Sequence, residues 1–178
     1  PRAGNSDGQV IRWVEPSPGE TTFDWDVFVF GKVPTSDDQN LSSLSEQNFF
    51  SSCDGLWYDD RGDGNGILWI ETDSGSEYTN DQVLAVIPQN VTSGGNASDA
   101  SIITAANQSE LKRFAVGPNG CEVTGIFATP DKSALFINIQ HPANWPAGTD
   151  ATRDTEGQIR PRASTVVIQK TDGGAIAV

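Results

Sequence analysis

The residues best placed to do chemistry are Glu122, Asp54 and His141, the chain's one histidine. Glu122 follows Cys121 at the mouth of an apolar run, inside the stretch GPNGCEVTGIFATPDKSALFINIQH at residues 117–141. A carboxylate set among apolar strand residues is costly to bury alone. Glu122 must therefore face either a cation or a hydrogen-bond donor, and its oxygens suit a hard metal ion. Asp54 stands before Gly55; Asp-Gly is a common turn pair, so turn residue and metal ligand are both open readings. His141 closes the stretch before Pro142 and is the only side chain whose unperturbed pKa lies near neutrality. It reads as a ligand, as a catalytic group, or as a structural histidine at a strand end.

Other groups offer alternatives. Cys53 and Cys121 permit one disulfide, two free buried thiols, or metal ligation; a Cα separation beyond about 7 Å would exclude the bridge. Arg160 and Arg162 could hold a phosphate bidentately or could be exposed loop charges. The run DDRGDGNG at residues 59–66 looks like a calcium loop, but its register fails: Arg61 falls at the first ligand position and Thr72 at the twelfth, where a bidentate Glu belongs. It reads as an acidic hairpin turn. No Gly-rich phosphate loop, HExxH or Ser-His-Asp order occurs, which argues against nucleotide-binding enzymes, zinc proteases and serine hydrolases.

The elements that must position these groups are strands. Helical periodicity is nearly missing, with residues 42–51 the one segment fit for a short helix or helical turn. Elsewhere short apolar runs are bounded by Gly, Pro, Asn and Asp, the strand-and-turn pattern. Strands are expected at 9–14, 25–33, 55–59, 67–72, 82–88, 111–116, in two runs within 117–141, at 164–170 and at 175–178. Residues 90–107 read as an exposed polar excursion, and residues 142–161 as a long loop anchored by Trp145. Trp13, Trp25, Trp57 and Trp69 are expected to pack between the blades of a repeating fold.

The chain of 178 residues is long enough for one good core. No apolar run is long enough to span a membrane as a helix. A net charge of −13 and a pI near 4.2 argue against nucleic acid as a partner. They suit cation binding, or simply a soluble surface. Sequons at Asn40, Asn90, Asn96 and Asn107 leave the compartment undecided. The proline at position 1 and the absence of Met suggest a processed or excised piece.

A repeat sets the fold class. GLWYD at 55–59 aligns with GIFAT at 125–129, and LWIETD at 68–73 aligns with LFINIQ at 135–140. The period is about 70 residues, and each period supplies roughly four strands. Four-stranded units in tandem are the blades of a β-propeller; a β-sandwich is the alternative. The expected fold is thus all-β, with a partial blade at 1–50 and blades at 51–118 and 119–178. Asp54 and Glu122 would then sit at the channel ends of successive blades.

The blocks DGLWYD, GILWIETD, KRFAVGPNGCEVTG, TPDKSALFINIQHP and PRASTVVIQKTDGG, with GQVIRWVE and TTFDWDVFVF before them, resemble the C-terminal part of the PhoX-type alkaline phosphatases. The resemblance implies a periplasmic or secreted, Tat-exported, six-bladed propeller that hydrolyses phosphate monoesters. It implies calcium and iron as cofactors in the central channel, with Glu122 and Asp54 as metal ligands. Because whole members are several times longer, it implies that this chain is about the last two and a half blades. Its partners would be the remaining blades of the same propeller and a phosphate ester substrate. One departure stands out. Phosphatase members tend to carry a phosphate-binding Arg just before the Cys-Glu pair, where this chain has Gly120. His141 and Arg162 are left as possible catalytic groups, and a non-catalytic, calcium-stabilised binding or scaffold propeller is the alternative function.

Overall fold

A computed structural model describes residues 5–62, 64–74, 80–91, 101–142 and 163–177. The strands are β1 (Gln9–Val14), β2 (Asp24–Phe30), β3 (Cys53–Asp59), β4 (Ile67–Thr72), β5 (Asn80–Val86), β6 (Lys112–Asn119), β7 (Glu122–Ala128), β8 (Ala134–Gln140) and β9 (Ser164–Gln169). Helix is confined, among the described residues, to short 3-10 turns at Pro88–Asn90 and Gln108–Glu110. The all-β expectation is met. Residues 42–51 form turns rather than a helix: the N–H groups of Asn48 and Phe49 both reach the carbonyl of Ser45, and Phe50 then bridges back to Lys32.

Among the described residues the strands form three antiparallel sheets in chain order: β1-β2, β3-β4-β5-β6 and β7-β8-β9. None shows the crossover of an immunoglobulin-type sandwich. The middle sheet is buried on both faces because its apolar residues alternate between two cores, as the two-residue pleat requires. Ile67, Trp69 and Val83 point to one side, where they meet Val123, Ile126, Leu135, Ile137 and Ile139 of the third sheet. Ile70, Leu84 and Val86 point to the other, where Val10, Phe28, Val29 and Phe50 lie. Each such apolar side chain contributes about 1.5–3 kcal/mol when fully buried.

Two expectations are corrected here. The stretch 90–107 is not wholly an exposed excursion: Val91, Ser101, Ile102 and Ile103 are buried in the first core, and Ile102 and Ile103 donate their N–H groups to Val27 and Phe28 of β2. Pairing with a strand backbone overrides the polar composition of the segment. Residues 175–177 make no strand; Ile176 instead anchors in the second core and bonds the carbonyl of Lys132. Trp69 is fully buried and meets Phe114 edge-on, and Trp57 stacks on Phe127 at 5.5 Å. Trp13 and Trp25, by contrast, are exposed at 62% and 48%, because no described element covers that face of the β1-β2 sheet. Trp145 lies outside the described residues.

The internal repeat is structural as well as textual. Trp57 pairs Trp69 as Phe127 pairs Phe136, and Tyr58 pairs Leu68 as Ala128 pairs Leu135. Both hairpins carry a bulge in the first strand, in the interval that holds Gly55 or Gly125. In both, the glycine is required by close approach. A Cβ on Gly55 would sit 2.3 Å from Glu71 Oε2, and one on Gly125 would sit 2.3 Å from Asn138 Nδ2. Glu71 and Asn138 are themselves equivalent in the repeat, so the bulge seats a polar side chain of the second strand against a bare backbone.

The opposite end of these sheets is tied by an ion triad. Asp59, fully buried, accepts from Arg61 at 2.6 Å and from Lys132 at 2.5 Å. Lys132 belongs to the β7-β8 turn, so the contact joins the second and third sheets. The DDRGDGNG segment is thus a hairpin connection whose first carboxylate is spent on this triad; Asp63 lies outside the described residues.

Candidate functional site

Register brings the chemistry to one end of the sheets. Cys53 pairs Thr72, Asn80 pairs Asn119 and Glu122 pairs Gln140. The starts of β3, β5 and β7 therefore lie beside the ends of β4, β6 and β8. The residue just past β4 is Asp73, and the residue just past β8 is His141. With Glu122 they form a cluster in which one ligand atom from each lies within 4.8 Å of the others.

Glu122 is buried, at 8% exposure, whereas Asp73 and His141 are exposed. Glu122 Oε2 accepts a hydrogen bond from Gln140 Nε2 and lies 3.2 Å from His141 Nε2. So the carboxylate faces a donor and an imidazole, and it remains open to Asp73 on the third side. His141 adopts φ +33, and Ser52, at the start of the β3 hairpin, adopts φ +51. Such left-handed backbone is uncommon outside glycine. At His141 it turns the chain at the end of β8, where the imidazole meets Glu122. Ser52 in turn accepts the backbone N–H of Asp73 at 2.9 Å.

The surrounding electrostatics are one-sided. Burial, and then the charges of Asp54 and Glu122, push Glu71 up to about 7, although backbone N–H groups of Ile126 and Gly125 oppose the shift. Asp73 is also raised, by loss of water and by Glu122 and Asp81, with His141 opposing. Among the described residues no lysine or arginine pairs with Asp54, Asp73 or Glu122. The buried oxygens Glu71 Oε1 and Asp81 Oδ2 have no hydrogen-bond partner. Carboxylates gathered without compensating charge, including orphaned buried oxygens, fit a hard cation with oxygen ligands. An imidazole added to that set also fits iron.

Glu122 and His141 are brought together. Asp54 is in the neighbourhood, since its charge acts on both Glu71 and Asp73, but it lies outside the three-residue cluster. It is an exposed residue within β3 and next to the bulge, not a turn residue. Arg160 and Arg162 lie outside the described residues. Cys53 and Cys121 are free, and burial raises both thiols, Cys121 to about 11. Gly120 sits in the β6-β7 turn at φ +74, a conformation that a side chain such as Arg would strain. The groups that sequence reasoning missed are Asp73, Glu71 and Asp81. A signal for Asp73 existed: the repeat aligns it with Gln140, the residue that touches Glu122.

Comparison with known proteins bears on the same residues. The family model described as alkaline phosphatase PhoX matches residues 1–143. Among solved structures, Pseudomonas fluorescens PhoX in complex with vanadate, a transition state analogue, is similar at 33% identity and a TM-score of 0.69, over 96% of this chain and 28% of that one. The chain thus spans under a third of the length of that relative. No curated protein matches. With four-fifths of its length matched by the family model, the chain belongs to the PhoX alkaline phosphatase family.

Proposed function

We propose that this chain contributes part of a metal-dependent phosphomonoesterase site of the PhoX type, and that Glu122, His141 and Asp73 hold a metal there, with Asp54 beside them. The observation that carries the reading is the cluster itself: three potential ligands from two sheets within 4.8 Å, in a region of uncompensated carboxylates. Calcium and iron are the proposed metals, on the donor types and on family membership. When bound, such ions would polarise phosphoryl oxygens and stabilise charge during in-line displacement. The chain's own residues have narrower tasks. Glu122 is held by Gln140 so that one carboxylate face stays turned to the cluster. His141 holds its ring against the same carboxylate, with Nε2 3.2 Å from Glu122 Oε2. Asp73, which accepts no hydrogen bond from a described residue, keeps its oxygens available.

The propeller and its blade boundaries are part of this proposal. In its support, the middle sheet is a four-stranded antiparallel meander in chain order, buried on both faces and stacked against a second sheet built on the same repeat. Blades at 51–118 and 119–178, a partial blade at 1–50 and a periplasmic or secreted location follow from that reading. The remaining blades would cover the exposed Trp13, Phe23 and Trp25 at one side and Phe127 and Val167 at the other.

A specific observation favours a second reading, a calcium-stabilised propeller without catalysis. Gly120 replaces the expected arginine in a backbone conformation suited to glycine, and no described cation faces the cluster in its place. The experiment is hydrolysis of p-nitrophenyl phosphate by the full-length protein with calcium and iron supplied, then chelated. Turnover lost on chelation, and lost at least 100-fold in Glu122→Gln, is expected. A folded, metal-loaded protein without turnover would leave the second reading standing and sink the first.

A further inference from the structure

The residue that connects this site to the middle sheet is Asp81, at the start of β5. It is buried at 1% exposure, and its Oδ1 accepts three hydrogen bonds: from Thr72 Oγ1 at 2.7 Å, from Ser74 N at 2.6 Å and from Ser74 Oγ at 2.6 Å. Thr72 Oγ1 in turn accepts the N–H of Gln82 at 3.0 Å. The donors are the residues immediately before and after Asp73. Asp73's own N–H is bound by the carbonyl of Ser52. The backbone of Asp73 is therefore fixed from three sides while its carboxylate is left free to meet Glu122 and His141. Asp81 Oδ2 remains buried without a partner.

We infer that Asp81 is the positioning residue of the site: it clamps Thr72 and Ser74 so that Asp73 is presented to a bound cation. This rests on the metal-site reading above, and deepens it. The physical argument is one of preorganisation. Asp73 follows the last residue of β4, where the ladder hydrogen bonds stop, so a free strand end would let its carboxylate sample many positions. A charge-assisted bond to each flanking residue removes that freedom before the cation arrives. Groups behind ligands act in this way, and their loss commonly weakens metal affinity about 10–100-fold.

The test measures calcium affinity by calorimetry on the purified protein, with circular dichroism and thermal melting of the chelator-treated form alongside. Asp81→Ala is expected to bind calcium about 10–100-fold more weakly. Asp81→Asn keeps an oxygen that can accept from Ser74 and Thr72, and is expected to stay within about threefold of wild type. Thr72→Val with Ser74→Ala removes the two side-chain donors of the clamp and leaves the bond from the Ser74 N–H; it is expected to weaken binding about tenfold even if Asp81→Ala does not fold. Wild-type affinity in the Thr72→Val, Ser74→Ala protein, or an Asp81→Asn protein that binds no better than a folded Asp81→Ala, overturns the assignment. A wild-type protein that binds no calcium overturns the metal-site reading along with it, so the two failures are distinguishable.

Discussion

Replacing Asp59 by asparagine should destabilise the protein more than any single change among its cationic partners. Asp59 is fully buried, and it is the common acceptor of Arg61 and Lys132, whose side chains are 10% and 24% exposed. Arg61 also donates to the carbonyl of Ile176 at 2.8 Å, and its second terminal nitrogen is buried without a partner. Removing the carboxylate would leave Arg61 charged and nearly enclosed. Breaking a buried pair from one side costs about 3–5 kcal/mol. The asparagine oxygen can still accept one bond, which returns about 1 kcal/mol, and Lys132 can turn partly to water. The expected loss is about 3 kcal/mol, or roughly 6–12 °C in melting temperature for a chain of this size. Lys132→Met leaves the Asp59–Arg61 pair intact and should cost about 1–2 kcal/mol. Because the triad is buried, added salt should change the difference little. The assay is urea unfolding of the three proteins at low and high salt. An Asp59→Asn loss under 1 kcal/mol, or a Lys132→Met loss larger than it, would show that the triad does not join the sheets as described.

The repeat makes a paired prediction: Gly125→Ala should cost more than Gly55→Ala, about 2–4 against 1–3 kcal/mol, because both add a clash but only Gly125 has positive φ, at +64; chemical denaturation of both variants checks the order. Trp69→Ala should cost about 3–5 kcal/mol, since the ring is fully buried against Phe114, and an intact melting temperature would contradict the two-faced middle sheet. Cys121 should react slowly with iodoacetamide at pH 8 in the native protein and fast when unfolded. The folded thiol is raised by burial, by Asp81 and by Glu122 to about 11, so the proton is held more tightly in the native state. The stability this contributes is present below pH 9 and declines between about pH 9 and 11.

Much of the fold was legible in the residues because its causes are local. Short apolar runs between Gly, Pro and Asp place the strands to within a few residues, since a pleated strand needs only alternating or continuous apolar character and a turn to stop it. The textual repeat located the matching hairpins because each must solve the same problem, a bulged first strand over a polar side chain. Segments whose structure depends on distant partners were misread. Ser101–Ile103 are buried because β2 offers them backbone bonds, and Ile176 is held by the β7-β8 turn; neither dependence is written in the neighbouring residues.

The candidate site divides along the same line. Glu122 could be singled out from sequence because a carboxylate in an apolar strand carries its own cost wherever it lies. His141 could be noticed as the only imidazole, but its value depends on lying 3.2 Å from Glu122, which follows from the register of β7 on β8. Asp73 looked like one acid among many in an acidic chain. Only the stacking of the middle sheet on the third brings it to Glu122, and only the bonds from Thr72 and Ser74 to Asp81 hold it there. Residue type sets what a group can bind or donate. Which groups can share one cation is set by distances of a few ångströms between strands far apart in the chain, and those distances exist only once both cores have packed.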